Sequence, residues 1–278
     1  MSTDYQQARS ALGARMRELR TECGLSGRAV AVRLGWPQSK VSKLENGRQS
    51  PTRADVVAWA EAVGRPDAGA ELVGRLRTVG TQYRSWRRQL AGGVRPVQET
   101  HAVQGKRTGD RRSFDPTLVP GLLQTAEYAR AVLTRYTRVH PSIRDVEAAV
   151  VTRMERQRVL NDRSRSFHFL VWEGALVSRL CPPAVLADQL ESLAPWLARG
   201  NVRLGIVPFD ADLRVPAGVG FSIHDGALVI TESWHAEMWL DDPADVALHV
   251  RAWEALAESA VYGPSAHRVI SRARRSLP

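Results

Sequence analysis

Apolar residues recur at helical spacing in the first eighty residues of the chain. Leu12, Met16 and Leu19 line one side of a helix predicted at about residues 6–22, because they are spaced i, i+4, i+7. Gly24 ends this helix, as glycine does at many helix C-termini. Four shorter helices are predicted to follow, at about residues 26–34, 38–45, 52–63 and 72–79. Such helices form a small bundle, in which the second and third have helix-turn-helix spacing.

Beyond residue 112 the pattern becomes a mixture of helices and strands. Runs of apolar residues at 166–172, 201–209 and 219–233 indicate buried strands. Asp225-Gly226, inside the last run, is typical of a two-residue hairpin turn. Helical patterns surround these runs, at about residues 115–133, 142–160, 182–200 and from 242 onward. The predicted fold class is therefore mainly α, with an α+β C-terminal domain of helices around a small mixed β-sheet.

The chain is predicted to divide into three segments. Residues 1–80 form the helix-turn-helix domain, residues 81–112 a basic connector, and residues 113–278 an α+β effector or partner-binding domain. The connector is rich in arginine and glycine, which fits two alternatives. One is a flexible linker, and the other is a helix that continues to about Leu90 before a break at Gly92-Gly93.

The net charge of +10 is unevenly distributed along the chain. Residues 1–66 contain eleven Lys+Arg against six Asp+Glu, and residues 67–112 contain ten against four, whereas residues 113–278 contain eighteen against nineteen. All the excess positive charge thus lies in the first 112 residues, which indicates an N-terminal part that faces a polyanion such as nucleic acid. Two of the three lysines in the chain, Lys40 and Lys43, fall in the predicted third helix.

The predicted third helix has one apolar and one polar side. On a helical wheel, Val41 and Leu44 point into the bundle. The opposite arc, about 140° wide, contains only polar side chains, those of Gln38, Ser39, Ser42 and Lys43. Because this arc has no apolar side chain, it is not explained by burial in a core. Side chains of these types can hydrogen-bond base edges in the major groove of DNA. Lys40 and Arg48 lie at its margins, where phosphates would be met. A solvated helix face is the alternative interpretation.

The run from Leu12 to Val63 resembles the Xre, or phage-repressor, type of helix-turn-helix domain. The matching residues are Leu25-Ser26, Ala31, Leu34-Gly35, Gln38-Ser39, the block Val41-Ser42-Lys43-Leu44-Glu45-Asn46-Gly47, Arg48 and Pro51. The resemblance implies that the third helix is the recognition helix and that its four outer polar residues face bases. Glu45 is expected to tie the end of this helix to its neighbours. Gly27-Arg28 replaces the usual phosphate-binding glutamine, so Arg28 is the candidate for that contact, and Pro37 replaces the usual polar cap.

Three stretches of the C-terminal half are similar, in the same order, to a large actinobacterial group of Xre-type regulators. They are VPGLLQTAEYARAVL, TRMERQRVL and VRLGIVPF. In that group the C-terminal half is a domain of unknown function, and members often occur beside a gene for a small partner protein. The resemblance therefore implies that this half binds a small protein encoded nearby or a small-molecule effector.

A pocket in the C-terminal half is predicted where aromatic side chains accompany a few polar groups. Its candidate residues are Trp172, Glu173, Pro208, Phe209 and Trp234. No hydrolase, zinc-protease, phosphate-loop or dinucleotide motif occurs in the sequence. Other polar residues on or near the strands are expected to be satisfied structural groups, namely His168, His224, Asp225, His235 and Glu237.

Several features predict nothing beyond an ordinary intracellular protein. Cys23 and Cys181 are far apart and without nearby metal-ligand partners, so they are expected to be reduced thiols. No metal, cofactor or membrane partner is predicted, and the expected location is the cytoplasm. The final residues, 265–278, carry four arginines and are expected to form a frayed, solvated end.

Two functions fit these observations, and a third is disfavoured. The first is a sequence-specific transcription regulator that binds double-stranded DNA as a homodimer on a two-fold operator. The second is an antitoxin-like interaction protein that mainly binds a small partner protein, with DNA binding serving autoregulation. An enzyme with a DNA-targeting module is disfavoured, because the sequence offers no set of nucleophile, base and orienting group.

Overall fold

A computed structural model describes residues 4–80 and 83–278 of the chain. The chain divides into two compact units. The first unit comprises residues 1–83 and 238–245, and the second comprises residues 84–237 and 246–278. Residues 238–245, which come late in the sequence, therefore belong to the first unit and not to the second. The pattern of the sequence did not indicate this division.

The first unit is a bundle of five α-helices. They are α1 (Asp4–Glu22), α2 (Gly27–Leu34), α3 (Gln38–Glu45), α4 (Arg53–Ala62) and α5 (Gly69–Gly80), with a 3-10 turn at Pro66–Ala68 before α5. The apolar positions predicted from helical spacing form its core, namely Leu12, Met16, Leu19, Val30, Val41, Leu44, Val56, Trp59 and Leu72. The predicted five-helix bundle is confirmed.

Local sequence determines where these helices begin and end. The Ser26 side chain accepts a hydrogen bond from the Ala29 amide at 3.1 Å and so caps α2. Thr52 and Asp55 form a reciprocal capping box at the start of α4. Gly47 follows α3 with φ +60°, and a Cβ at this position would lie 2.8 Å from the Ser10 Cα. Only glycine combines that conformation with so close an approach.

The returning segment 238–245 adds acidic groups to the first unit. The Asp241 carboxylate accepts hydrogen bonds from Arg9 on α1 and from the Ser50 hydroxyl, the latter at 3.0 Å. With this segment the first unit contains 13 Lys+Arg against 11 Asp+Glu, a net charge of +2. The strongly basic N-terminal part of the sequence therefore does not correspond to a strongly basic folding unit.

An eight-stranded mixed sheet organises the second half of the chain. Its strands are β1 (Tyr83–Ser85), β2 (Asp110–Asp115), β3 (Ser166–Trp172), β4 (Val202–Val207), β5 (Phe221–His224), β6 (Leu228–Glu232), β7 (Ala236–Leu240) and β8 (Val261–Tyr262). They are ordered β1-β7-β6-β5-β2-β3-β4-β8. Strand β2 runs parallel to β3, and β3 parallel to β4, whereas β5 is antiparallel to both β2 and β6.

Eight further helices accompany this sheet in the described part of the chain. They are α6 (Trp86–Gln89), α7 (Arg95–Arg107), α8 (Ala126–Tyr136), α9 (Val146–Arg156), α10 (Glu173–Val177), α11 (Pro183–Glu191), α12 (Pro243–Glu258) and α13 (Gly263–Arg275). The predicted α+β class is confirmed, although the sheet is larger than expected. The hairpin turn at Asp225-Gly226, with φ +52° and +60°, has the conformation that the sequence predicted.

The segment from residue 83 to 112 contains regular structure where the sequence suggested a connector. It forms β1, α6, α7 and the first half of β2. The Trp86 indole donates a hydrogen bond to the Ser233 carbonyl at 2.7 Å, and Leu90 and Val97 are buried against residues of α8 and α9. The second unit begins at Arg84, so these arginine-rich residues belong to a folded unit.

The prediction of a frayed C-terminal end is wrong. Helix α13 runs to Arg275, and one of its sides is buried in the core of the second unit. The buried residues are Ala266, Val269, Ile270 and Ala273. They are spaced i, i+3, i+4 and i+7, which is the pattern of an amphipathic helix. The four arginines of this helix are exposed and do not interrupt that pattern.

Candidate nucleic-acid interface

Helix α3 exposes the polar side that the wheel predicted. Gln38, Ser39, Ser42 and Lys43 are all exposed to solvent. Val41 and Leu44, on the other side, are 2% and 1% exposed and lie in the core of the bundle. The outer side chains are therefore free to meet another molecule, while the inner ones fix the helix in place.

The inner side of α3 is held by an ion-pair network from α1. The Glu45 side chain is 7% exposed and accepts two hydrogen bonds from the Arg20 guanidinium and one, at 3.2 Å, from Arg17. The hydrogen bonds that Arg20 donates to Glu45, more than any other effect, raise the pKa of Arg20. Arg17 also donates to the Asn46 side chain at 2.6 Å. The expected structural role of Glu45 is confirmed.

Helices α1 and α3 also approach each other closely at a glycine. A Cβ at Gly13 of α1 would lie 2.4 Å from the Leu44 carbonyl oxygen and 2.8 Å from that of Glu45. Real Cβ atoms do not come so close to backbone oxygens, so only glycine fits at this point. The position of α3 relative to α1 is thus fixed by backbone contact as well as by charge.

Most described cations of the first unit are already neutralised by carboxylates. Arg9, Arg15, Arg17, Arg20, Lys40, Arg65 and Arg75 each form an ion pair, and Arg33 donates to the Ala62 carbonyl. Among the side chains that the structure describes in this unit, four cations have no such partner, and all four are exposed. They are Arg28, Lys43, Arg48 and Arg53.

The four unpaired cations lie on or directly beside helices α2, α3 and α4. Arg28 lies at the start of α2, Lys43 on the outer side of α3, Arg48 just after α3, and Arg53 at the first position of α4. Three of them were candidates from the sequence. Arg53 was missed, because only the pairing of its neighbours distinguishes it from the other surface arginines.

Lys40 differs from the other predicted phosphate contacts. Its ammonium group lies 2.7 Å from an Asp55 carboxylate oxygen and 3.8 Å from the centre of a Trp36 ring. Burial would raise the pKa of Asp55, but hydrogen bonds from Lys40 and Thr52 outweigh it and the pKa is lowered. Lys40 therefore links the turn before α3 to the start of α4.

The five residues of the predicted pocket do not come together. The Trp172 and Phe209 rings meet edge to face at 5.6 Å, and Glu173 accepts a hydrogen bond from the Phe209 amide at 2.9 Å. Glu173 is buried and also pairs with Arg272 of α13 at 2.8 Å. Trp234 instead lies in the turn between β6 and β7, next to Tyr136, and strands β5 and β2 separate β6 from β3.

The remaining strand residues divide into structural groups and one exception. His224 is buried between the hydroxyls of Thr108 and Ser222, both at 3.0 Å. His168 contacts the Tyr262 hydroxyl at 3.1 Å, and burial lowers its pKa to about 4. Asp225 accepts two backbone hydrogen bonds at 2.8 Å. These three are structural, as expected.

The exception is Glu237, which lies in a group of charged residues that the sequence analysis did not assemble. His101 Nε2 lies 2.7 Å from a Glu237 carboxylate oxygen, and ligand atoms of His101, Glu232 and Glu237 all lie within 4.8 Å of one another. Two arginines of α9, Arg153 and Arg156, are also coupled electrostatically to Glu232. The residues of this group are spread over more than 130 positions of sequence, and no local motif joins them.

The five-helix bundle, with α2 and α3 joined by a short turn, is a helix-turn-helix fold, which suggests a DNA-binding regulator. In agreement, residues 11–73 match the family model described as "Helix-turn-helix domain". Residues 106–272 match the model described as "Domain of unknown function (DUF5753)", and the chain belongs to this family. No match was found among the curated proteins or the solved structures. In the described part of the chain, no helix is long and apolar enough to cross a membrane.

Proposed function

We propose that the protein is a sequence-specific transcription regulator that reads base pairs with the outer side of α3. The base-reading residues are Gln38, Ser39, Ser42 and Lys43. The observation that carries the proposal is the distribution of unpaired charge. Arg28, Lys43, Arg48 and Arg53, on or next to α2, α3 and α4, form no ion pair, whereas Lys40 and most other described cations of the first unit are paired with carboxylates. Cations without partners are available to displace counterions from DNA phosphates.

The residues divide into two roles by chemistry and position. Glutamine and lysine side chains hydrogen-bond base edges in the major groove, and serine hydroxyls bond bases or phosphates. Arg28, Arg48 and Arg53, at the ends of the neighbouring helices, would contact phosphates and orient the domain. Lys40 remains at the margin of the surface, but its charge is balanced by Asp55 and its contribution to DNA affinity would be smaller.

The proposal includes a homodimer on a two-fold operator. One α3 helix of eight residues contacts too few base pairs to select one site in a genome. Two copies with half-sites about one helical turn apart would double the number of bases read. The DUF5753 unit would then change DNA binding in response to a small ligand or a small protein.

The division of roles predicts different results for Lys43→Ala and Arg48→Ala. Lys43→Ala should relax base preference at one position of each half-site, because it removes a contact to a base edge. Arg48→Ala should weaken binding to all sequences alike and reduce the dependence of affinity on salt by about one ion per protomer. Sequence selection from random DNA, together with binding titrations at several salt concentrations, measures both effects.

Arg75→Ala is the matched control for these two variants. Arg75 is an exposed cation of α5 that pairs with Glu71 at 2.8 Å, so its removal should change neither sequence preference nor salt dependence. Indistinguishable behaviour of Lys43→Ala and Arg48→Ala would show that the two side chains are not divided between bases and phosphates.

A further inference from the structure

One face of the sheet in the second unit carries charged and polar side chains on β2, β5 and β6, although its β3 part, with Phe167 and Phe169, belongs to the apolar core. Helices that cover a sheet normally meet it through apolar side chains. Here Arg111 of β2 lies directly across from His224 of β5, and His224 across from Leu228 of β6. Because side chains alternate along a strand, Glu232 lies on the same face as Leu228 and Arg111. This face therefore carries both signs of charge.

The hairpin between β6 and β7 places two glutamates opposite each other. The Ser233 amide donates to the Ala236 carbonyl at 2.8 Å, which closes a two-residue turn and puts Glu232 opposite Glu237. Like charges directly across an antiparallel pair destabilise a sheet. Burial, followed by the charge of Glu237, raises the pKa of Glu232. Two glutamates opposite each other therefore do not stabilise the sheet.

Three guanidinium groups face the same region without carboxylate partners. Arg153 and Arg156, one turn apart on α9, both donate to the single side-chain oxygen of Gln98, at 3.2 Å and 2.6 Å. Arg153 also donates to the Gln124 side chain at 2.7 Å. The Arg111 Nε atom is buried and has no hydrogen-bond partner among the described residues. Among the described residues, one buried guanidinium N–H of these three arginines, that of Arg111 Nε, is thus left without an acceptor.

This arrangement costs folding free energy. Burial lowers the pKa of Arg111 and Arg153, and it lowers the pKa of Arg156 to about 9, with the charges of Arg153 and Arg111 adding to the effect. Asp115, on the Arg111 side of β2, accepts a hydrogen bond from Ser113, and burial raises its pKa to about 6. Clusters of ionisable groups at such a cost are characteristic of binding sites.

The charged groups border a space that water can enter. Glu232 is exposed, and Arg111, Arg153 and Arg156 are partly exposed, although burial shifts the pKa of all four. Partial exposure and a pKa shift caused by burial occur together when side chains line a recess. Water reaches such side chains, but most of their surroundings are protein. We use "the charged recess" for the space bordered by Arg111, Arg153, Arg156 and Glu232; Glu237 lies close to Glu232 but has no exposed surface.

We infer that the charged recess binds a small polar molecule with an anionic group, a carboxylate or a phosphate, and a hydrogen-bond donor. The three arginines would hold the anionic group, since guanidinium pairs well with both kinds of oxyanion. Glu232, which is exposed, would accept a hydrogen bond from an amine or hydroxyl of the same molecule. The inference rests on the small-ligand branch of the proposed function and gives that branch a site and a ligand class.

A metal ion is the competing occupant of this region. His101, Glu232 and Glu237 are suitable ligands for a divalent transition metal such as Zn²⁺. However, the pKa of Arg156 responds to both Glu232 and Glu237, so a guanidinium charge acts on the same carboxylates and would repel a cation. The anionic ligand agrees with all four residues that border the recess, whereas the metal accounts only for Glu232 among them.

The test compares the thermal unfolding midpoint of the full chain in phosphate, in succinate and in chloride at equal ionic strength. Phosphate or succinate should raise the midpoint of the wild-type second unit by a few degrees, increasing with concentration, because a ligand of the native state stabilises it. Arg111→Met should abolish that increase. Without added anion, Arg111→Met should raise the midpoint, because it removes a guanidinium whose Nε atom is buried without a hydrogen-bond partner among the described residues.

Arg112→Met is the matched control, since Arg112 neighbours Arg111 on β2 and faces the opposite side, where it lies 5.5 Å from the Trp253 ring. It should keep the anion-dependent increase. The inference is overturned if neither anion raises the midpoint, if Arg111→Met keeps the increase, or if Arg111→Met lowers the midpoint without anion. It is also overturned if Zn²⁺ stabilises the wild type and Arg111→Met alike but not Glu237→Gln. Intact DNA binding in Arg111→Met would show that such a failure leaves the DNA-binding proposal standing.

Discussion

Replacing Gly13 with alanine is expected to lower the free energy of unfolding of the first unit by about 3 kcal/mol, the upper range for overpacking a rigid site. The new Cβ would lie 2.4 Å from the Leu44 carbonyl oxygen and 2.8 Å from the Glu45 carbonyl oxygen. Both oxygens belong to the backbone of α3, so relief of the clash requires α3 to move. DNA binding should fall together with stability, because α3 carries the proposed base contacts.

Hydrogen exchange of peptides from the two units measures this effect separately in each unit. Amides of α1 and α3 should lose protection in Gly13→Ala, while those of β3 and β4 should keep it. Gly74→Ala is the control, because a Cβ there meets nothing within 4 Å on α5. It should stabilise the first unit by about 0.5–1 kcal/mol through helix propensity. Wild-type protection of α3 in Gly13→Ala would contradict the close approach of α1 and α3.

Replacing Glu45 with glutamine is expected to destabilise the first unit by about 3 kcal/mol, the lower end for breaking a buried ion pair, since the partner charge is left uncompensated. Glutamine keeps the shape of the side chain but removes the negative charge that Arg20 and Arg17 share. Arg20 is itself largely buried, with 13% of its side chain exposed, so water cannot replace the lost partner.

Chemical denaturation followed by the same exchange measurement provides the test for Glu45→Gln. Glu18→Gln is the comparison, because Glu18 also pairs with an arginine of α1 at 2.7 Å, yet 59% of its side chain is exposed. An exposed pair contributes only about 0–1 kcal/mol, so this variant should remain close to the wild type. If Glu18→Gln and Glu45→Gln lowered the free energy of unfolding equally, the contribution of the Glu45 ion pairs to stability would not depend on their burial.

The sequence was sufficient to predict the two sides of α3 and the core beneath it. Val41 and Leu44 could be distinguished from Ser42 and Lys43 because helical periodicity is local and regular. The partner of Lys40 could not be predicted in the same way. Asp55 is fifteen residues away on another helix, and which carboxylate a lysine reaches depends on how the helices pack.

The net charge of the first unit also could not be predicted from the sequence. The excess of cations in the first 112 residues indicated a polyanion-binding part, but folding adds three aspartates from residues 238–245 to the first unit. What remains informative is which cations are left unpaired, and that requires coordinates. Arg53 and Arg75 look alike in the sequence, yet only Arg75 has a carboxylate partner.

The charged recess was beyond sequence reasoning for a related reason. Arg111, Arg153 and Glu232 come from β2, α9 and β6, and each occurs in a stretch with an ordinary amphipathic pattern. The predicted pocket relied on aromatic residues instead, and Trp234 proved to lie two intervening strands away from Trp172. The topology that places β6, β5 and β2 side by side cannot be predicted from the local spacing of residues in the sequence.

The most direct test of the central claim is selection of bound sequences from random DNA by the wild type and by a variant with alanine at Gln38, Ser39, Ser42 and Lys43. These side chains are exposed, so the variant should fold and retain salt-sensitive, non-specific binding through its remaining cations. The wild type should select one motif with two half-sites about one helical turn apart, and the variant should select none. Selection of the same motif by both proteins would show that α3 does not read the DNA sequence.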